Sequence, residues 1–600
     1  MMAMLRAIAL VSFTFAAAFA QTAPDGKAVF DQNCAMCHKV GGDPRAPLPE
    51  ALHERPNESI LVALEAGIMR SQGERLTAAE RRAVAEFLSP RSAQADVTER
   101  ANSCPANAKP LSKLTGWNGW GVDLVNSRMQ STAAAGLRAA DIPKLKVKWA
   151  FGFPYAVTIE AQPTVVGGRL FVGTATGNVY SLDAHTGCVY WTFRADTRMR
   201  TAITIEPYGR GQYAAYFGDA ETNVYAVNAQ TGKLIWKTKL DTHLMAGITG
   251  APKVYKGRVY VGVRSAAEEV IAGDPKYPCC TFRGSMAALD AASGKLIWKT
   301  FTIPDPPAKT KISSAGTQLY GPSGVGIWDS PAIDVKRGLL YAGTGNNYSD
   351  PPTKNSDAVL AFDLQTGAIK WSEQLTEDAW NASCGRGPAA SCPANPDRDV
   401  DIGASPILHS LPGGKDILLI GQKSGVVFGL DPDRAGEIIW KTTVSKGGGL
   451  GGIQWGIAAD ADKVYAPISD IIPGPGGGLF ALQIATGEKI WSIPPADPAC
   501  KKIRGCSPAQ LAAATLIPGV VFSGSMDGHL RAHNTNDGSL LWDLDTVRDF
   551  DTVNGVKGHG GSMNFAGPVL ADGMLFVNSG YNVLIGMPGN VLLALSVDGK

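Results

Sequence analysis

The sequence predicts an all-β, eight-bladed propeller preceded by a small all-α domain. Three observations predict it. A short motif recurs along most of the chain and ends each time on tryptophan. A strand before the first repeat and a strand after the last each lack a repeat of their own. The N-terminal segment has helical rather than strand spacing of its apolar residues.

The repeat begins the case. Ser181 to Gly187 leads to Trp191, Ala226 to Gly232 to Trp236, Ala288 to Gly294 to Trp298, and Ala361 to Gly367 to Trp371. Gly429 to Gly436 then leads to Trp440, Ala481 to Gly487 to Trp491, and Ala532 to Gly538 to Trp542. Each unit reads as a strand, a turn of Asp/Asn-x-x-Thr-Gly type and a second strand. The turn glycine supplies a positive φ, and the tryptophan can pack between neighbouring sheets. Trp191 and Trp236 are 45 residues apart and Trp298 and Trp371 are 73 apart, which fits a four-stranded blade with variable loops. Seven repeats are complete. Val591 to Ser596 has no tryptophan after it, and Trp149 has no repeat before it. Pairing these two segments makes an eighth blade and closes the ring without exposed edges.

Composition agrees. The 69 Gly and 38 Pro imply many turns. The 56 basic and 54 acidic residues leave a net charge of +2, which offers no basic field for nucleic acid. Residues 1–20 read as a signal peptide, with Arg6 as the positive region, Ala7 to Phe19 as the apolar run and Ala18-Phe19-Ala20 as the cleavage site. No later stretch is long and apolar enough for the roughly 20 residues of a membrane span. The expected location is the periplasm.

Residues 21–90 form the expected helical domain. Cys34-Ala35-Met36-Cys37-His38 is a Cys-x-x-Cys-His motif, which binds c-type haem through two thioethers and makes His38 the proximal iron ligand. Thr77, with Glu80 three residues on, signals a capping box and a final helix to Leu88. Met69 lies in the loop before that helix and is the expected sixth ligand, whereas Met36 points badly. The segment resembles small class I cytochromes c. Residues 91–115 read as a polar linker and 116–600 as the propeller. Eight cysteines remain, an even number that suggests disulfides in an exported chain. Proximity favours Cys384–Cys392, Cys500–Cys506 and Cys279–Cys280, leaving Cys104 for Cys188.

Several short motifs stand beside the repeat. They include Arg200, Ile248-Thr249-Gly250-Ala251-Pro252, Gly326-Ile327-Trp328-Asp329 with Tyr341 to Asn346, Gln422-Lys423-Ser424-Gly425, and Gln454-Trp455. Taken in this order they resemble the quinoprotein alcohol dehydrogenases, eight-bladed propellers carrying pyrroloquinoline quinone (PQQ) and Ca²⁺ at one end of the axis. The resemblance covers roughly Trp117 to Lys600. It implies that Trp328 forms the floor under the quinone and that Asn346 binds Ca²⁺. It also implies that Thr249 contacts the quinone, Lys423 hydrogen-bonds its carbonyls, Arg200 faces it and Trp455 lies close by. A family glutamate that ligates Ca²⁺ corresponds to Glu268 or Glu269, with Glu268 the first choice. The vicinal Cys279-Cys280 resembles a cysteine ring that covers the quinone.

The expected catalytic base departs from the family pattern. Its Trp-Asp pair is here Trp380-Asn381, and an amide cannot accept the proton of an alcohol. Asp399 and Asp401 follow, two apart and so on one side of an extended chain. Asp401 is favoured as base and as a further metal ligand, because it lies closer to Gly403, which aligns with Trp328. Asp378 is the next candidate.

The N-terminal placement of the cytochrome, together with Cys279 to Gly284, Gly558 to Ser562 and Ser579 to Asn582, resembles the cytochrome-bearing polyvinyl-alcohol dehydrogenase branch of that family. The branch implies oxidation of a secondary alcohol, with electrons passed through the haem to an external acceptor such as a soluble cytochrome c. Two other readings stay open on the sequence. One is a PQQ enzyme for a different small alcohol or sugar. The other is a non-enzymatic propeller scaffold fused to an electron carrier.

Overall fold

The computed structural model describes residues 24–40, 46–53, 55–66, 69–90, 102–105, 110–111, 114–209, 211–265, 268–384, 391–472, 474–583 and 585–600. The expected signal peptide and much of the expected linker lie outside these residues.

The N-terminal unit is helical: α1 (Gly26–Asn33), α2 (Pro49–His53), α3 (Asn57–Ala66), α4 (Arg70–Gly73) and α5 (Ala78–Leu88). Asp25 caps α1 by accepting from the amide of Lys27. Thr77 and Glu80 form the expected capping box at α5, each satisfying an orphan amide of the other. α1 packs against α5 at Gly26, where a Cβ would collide with the carbonyl of Ala83. Val29, Phe30, Ile60, Leu61, Leu64, Val84 and Leu88 fill the core between α1, α3 and α5.

Eight sheets of four or five antiparallel strands follow among the described residues. The closure anticipated from the sequence is present. Leu145–Gly152 pairs antiparallel with Val591–Val597, so the two ends of the propeller share one sheet. That sheet is completed by Met574–Ser579 and Val569–Ala571. No blade is left with an open edge at the seam.

The tryptophans dock blade to blade. The indoles of Trp149, Trp191, Trp236 and Trp440 donate to the carbonyls of Ala184, Ala229, Ala291 and Ile484, each in the turn of the next blade, at 2.9–3.2 Å. The turn glycine is required twice over. Gly187, Gly232, Gly294, Gly367, Gly436, Gly487 and Gly538 all have φ between +70° and +84°. A Cβ on any of them would lie 2.5–3.0 Å from the tryptophan ring of the preceding blade. Asp183 shows how such a turn is held: its Oδ1 accepts from the amides of His185 and Thr186 and from the Thr186 hydroxyl.

A second glycine register locates the axis. The second strand ends on Gly173, Gly218, Gly343, Gly421 or Gly524 in five blades and passes through Gly262 near its end in a sixth. Each lies against an apolar side chain of the next blade: Met199, Ile248, Ile327, Ile402, Ile453 and Met563 respectively. The residue after each of those is therefore structurally equivalent, and the set is Arg200, Thr249, Trp328, Gly403, Gln454 and Asn564. This ring surrounds one end of the axis and places the site.

All four expected disulfides are formed: Cys104–Cys188, Cys279–Cys280, Cys384–Cys392 and Cys500–Cys506. The first of them changes the reading of the linker. Cys104 is bonded to the first blade and its amide donates to the carbonyl of Val189, so this part of the linker is tied down rather than free.

Candidate active site

A cavity of about 970 Å³ opens at the end of the axis marked by that ring. Its inner wall carries Arg200, Trp328, Asp399, Asp401, Lys423 and Trp455, which the sequence had singled out. Glu160, Arg198, Arg264 and Glu269 complete it. Val270, Trp380, Leu450, Ile472, Val583 and Ile585 line it as well, beside the exposed Arg398 and Lys446.

At the inner end one ammonium meets two carboxylates. Lys423 Nζ donates to Asp399 Oδ1 at 2.9 Å and to Asp401 Oδ2 at 2.5 Å. Burial opposes the charge on Lys423, but the two carboxylates outweigh it and hold the group protonated. Asp401 has one donor on each oxygen: the second accepts the backbone N–H of Asn346 at 2.8 Å, and the side chain is 3% exposed. Asp399 is 18% exposed, and Lys423 and the Asn346 amide both donate to its Oδ1. Its Oδ2 faces Gly449, where a Cβ would stand 2.9 Å away.

Too much negative charge gathers here for one lysine. Burial pushes Glu269 and Asp378 up to about 8, Asp399 up to about 6 and Asp357 well above the usual carboxylate range, with Asp401 adding repulsion in each case. Glu269 Oε2 is buried with no hydrogen-bond partner among the described residues. The side chain of Asn346 is fully buried among these carboxylates. Its inward-facing amide atom lies 3.3 Å from Asp401, 3.3 Å from Asp357 and 2.8 Å from Asp378. With the amide oxygen inward, Asn346 would offer a neutral oxygen beside carboxylates that are not themselves gathered at metal-holding spacing among the described residues. The donor types, hard anionic and neutral oxygens, are those of Ca²⁺.

The walls fit a flat anionic quinone. Trp328 offers an aromatic face, and the guanidinium of Arg264 lies 5.0 Å from its ring. Arg200 lies 4.3 Å from the rings of both Trp455 and Phe565 and is paired with Glu160 at 3.4 Å. Arg198 binds the other oxygen of Glu160 at 3.5 Å. Aromatic floor, guanidinium groups and ammonium are what the carboxylates and carbonyls of PQQ require.

The structure keeps three expected groups off this wall. Glu268 is fully buried and spent: its oxygens accept from the Tyr277 hydroxyl, the amides of Thr281 and Phe282, and the Ser323 hydroxyl. Nothing remains for a metal, and Glu269, the alternative, faces the cavity instead. Thr249 lies behind the floor, where its hydroxyl donates to the carbonyl of Trp328 at 3.0 Å and lines a separate small cavity. It supports Trp328 rather than touching what rests on it. Cys279 and Cys280 are buried in the blade core with Phe282, Leu319 and Tyr348. Their insertion in a later blade turns them away from the axis. Asn381 is likewise structural, donating to the carbonyls of Tyr348 and Ser391.

Arg264, Arg198, Glu160 and Asp357 were not found from the sequence. Arg264 follows Gly262 at the end of a second strand, so the glycine register described above would have pointed to it. Asp357 carries no such mark, because a left-handed turn at φ +48° brings it in.

The helical unit fits haem. His38 is 7% exposed and its Nδ1 lies 2.7 Å from the carbonyl of Pro47, which leaves Nε2 for iron. Cys34 and Cys37 are unpaired thiols. Met69 packs against the cytochrome core, whereas Met36 is 78% exposed.

A family model described as glucose/ethanol/alcohol dehydrogenase, beta-propeller domain, matches residues 117–391. One described as cytochrome C oxidase, cbb3-type, subunit III, matches residues 21–88, and one for outer membrane protein assembly factor BamB matches 423–549. Fold and site together define a PQQ dehydrogenase with its own cytochrome c domain, and the chain belongs to the quinohaemoprotein alcohol dehydrogenase family. It is 41% identical to a polyvinylalcohol dehydrogenase from Pseudomonas sp, over 99% of this chain and 97% of that one. It is 38% identical to the polyvinylalcohol dehydrogenase of Sphingopyxis sp. (strain 113P3), over 96% and 93%. Among solved structures it resembles the quinohemoprotein alcohol dehydrogenase of Comamonas testosteroni, with a TM-score of 0.58, 20% identity and 84% of each chain covered. A europium-containing methanol dehydrogenase gives 0.56 at 17% identity, covering 81% of this chain and 99% of that one. The chain is an oxidoreductase, and the scaffold reading is set aside.

Proposed function

We propose that this enzyme oxidises secondary alcohols, including the hydroxyls of polyvinyl alcohol, to carbonyls in the periplasm and passes the electrons through its own haem to an external acceptor. The observation that carries the reading is the pair Asp399–Lys423 in a cavity that also presents the apolar side chains of Val270, Ile472, Val583 and Ile585. Glu269, Asn346 and Asp401 would hold Ca²⁺, and Trp328, Arg200, Arg264 and Lys423 would hold PQQ. When bound, the quinone with its Ca²⁺ accepts the hydride of the alcohol carbon.

The chain's own residues do the rest. Asp399 Oδ2, free of the Lys423 contact, takes the hydroxyl proton. Lys423 fixes the orientation of that carboxylate through Oδ1. Asp401, with one donor on each oxygen, keeps a lone pair on each for the metal but has neither oxygen clear for the proton. This reverses the preference drawn from sequence spacing. Val270, Ile472, Val583 and Ile585 give the methylene groups of an extended chain an apolar surface outside the reacting centre. Binding there contributes remote binding energy that a short alcohol lacks.

Two observations support the location. Four disulfides are formed, and no helix among the described residues is long and apolar enough to cross a membrane.

The test is reconstitution with PQQ and CaCl₂, followed by dye-linked turnover on primary alcohols, secondary alcohols, sugars and polyvinyl alcohol of graded length. Secondary alcohols are expected to be preferred, with KM per hydroxyl falling as the polymer lengthens. Ile472→Ser with Val583→Ser should raise KM for the polymer and leave that for a short secondary alcohol unchanged. Preference for sugars or primary alcohols would refute the substrate class.

A further inference from the structure

The helical unit meets the propeller along a seam that includes several polar contacts. Arg82, on α5, donates to the carbonyl of Asp196 and lies 3.7 Å from Glu221 Oε1. Glu65, on α3, accepts from the hydroxyl of Thr197 at 3.4 Å and is held by Arg81 at 3.5 Å. On the propeller side Asp196 is fixed in turn, by Lys237 at 2.8 Å and by its amide bonding the Tyr225 hydroxyl at 2.9 Å.

The position of this seam is what matters. Asp196 and Thr197 touch the cytochrome unit. Arg198 and Arg200, next along the same segment, line the axial cavity and share Glu160. Five consecutive residues therefore contact the cytochrome at one end and the catalytic pocket at the other. On the cytochrome side, Met69 donates its amide to the carbonyl of Ala63 on the helix that carries Glu65, so the seam lies beside Met69. Both backbone and side chains of the segment are buried or held, with Thr197 2% exposed.

We propose that Arg82 is a positioning residue that docks the cytochrome unit on the segment Asp196–Arg200, and that electrons leave the axial site for the haem across this seam, entering at its Met69 edge. The proposal rests on the function proposed above. Oxidation of one alcohol to a carbonyl releases two electrons and two protons. Each electron crossing the seam reduces the haem iron from ferric to ferrous. The external acceptor must collect two electrons, one at a time, and the protons pass to solvent. Charged contacts across such a junction between units weigh on the docked population.

The experiment uses the full chain loaded with haem, PQQ and Ca²⁺. Arg82→Glu sets a carboxylate against Glu221 and removes the donor to Asp196. Three quantities are read: the rate at which a secondary alcohol reduces the protein's own haem, dye-linked turnover with a dye that accepts directly from the axial site, and the radius of gyration by small-angle scattering. Haem reduction should fall about tenfold or more, because like charges facing across the seam oppose docking. Dye-linked turnover should stay within about twofold, since the axial site is untouched, and the radius of gyration should rise. Adding Glu221→Arg should recover much of the lost rate. Arg82→Gln, which removes charge without repulsion, gives an intermediate effect and serves if the reversal fails to fold.

Unchanged haem reduction in Arg82→Glu, or an equal loss of dye-linked turnover, overturns the proposal. Wild-type protein that turns over with dye while its haem stays ferric also overturns it. Absence of any dye-linked turnover in the wild type counts instead against the proposed substrate reading. The scattering comparison, which needs no substrate, then decides the docking.

Discussion

Asp399→Asn and Asp401→Asn separate the base from the metal ligand. Both carboxylates bind Lys423, but they differ in what remains. Asp401 has one donor on each oxygen, Lys423 on one and the Asn346 N–H on the other. Asp399 keeps Oδ2 clear of that lysine and turned toward Gly449. An asparagine at 399 preserves shape and can still accept from Lys423, so the site should assemble. What it loses is proton acceptance, worth about 10²–10⁴ in rate, or roughly 2.7–5.4 kcal/mol of barrier. An asparagine at 401 loses a buried, charge-assisted bond of about 1.5–3 kcal/mol and one anionic oxygen of the cation set. Its defect should therefore show as weaker Ca²⁺ binding and should shrink at high Ca²⁺. The assay is dye-linked kcat across a Ca²⁺ titration, with Ca²⁺ affinity measured by calorimetry. Asp399→Asn should bind Ca²⁺ within a few fold of wild type and stay slow at saturation. Near-normal kcat in Asp399→Asn at saturating Ca²⁺ and PQQ would refute the assignment, and Asp378 would be the next base to test.

Three other perturbations test the remaining structure. Gly294→Ala places a Cβ 2.5 Å from the ring of Trp236 at φ +70°. With about 1–2 kcal/mol for the left-handed backbone and about 1–3 for overpacking, it should cost roughly 2–5 kcal/mol, read from the urea midpoint. Met69→Ala should remove any methionine-to-iron charge-transfer absorption and lower the haem potential, and an unchanged spectrum would show another sixth ligand. His529 Nδ1 lies 2.7 Å from Asp543 Oδ1, and this hydrogen bond, with Asp527 nearby, holds the imidazole above its ordinary 6.5. Because the folded value is the higher one, the stabilisation is fully present below pH 6.5 and fades as pH rises through the folded value. His529→Gln should flatten that part of the stability profile in thermal melts.

Much of this molecule is local, and local features are legible in a sequence. The Trp-ending repeat fixed the number and order of blades because each turn must supply a positive-φ glycine and each sheet an apolar face. The joining of Val591–Val597 to Leu145–Gly152 followed from counting half-repeats. The haem motif, the Thr77–Glu80 cap and four cysteine pairs were readable for the same reason: the interacting residues are close in the chain or are what is left over. Trp328 and Lys423 were reached through short motifs that resemble the family's, and the two aspartates through the break in its Trp-Asp pair at Trp380-Asn381.

The tertiary structure decided what depends on direction rather than order. Glu268 and Glu269 are neighbours, yet one ends among four backbone and hydroxyl donors and the other in the cavity. A single step along a short helix separates them by about 100°. Thr249 occupies the same ring position as Trp328, but its short side chain ends on a backbone carbonyl behind the floor. The vicinal cysteines were carried into a blade core by the insertion that holds them. Asp357 joined the site through a left-handed turn that no spacing marks, and the difference between Asp399 and Asp401 lay in which oxygens had met a donor. A sequence records which groups are present and how often they recur. It does not record which lone pairs remain unspent after the chain has packed, because that depends on contacts between residues far apart along it. For this protein, that unspent capacity is what separates the residues placed at the metal and the substrate from those that hold the propeller together.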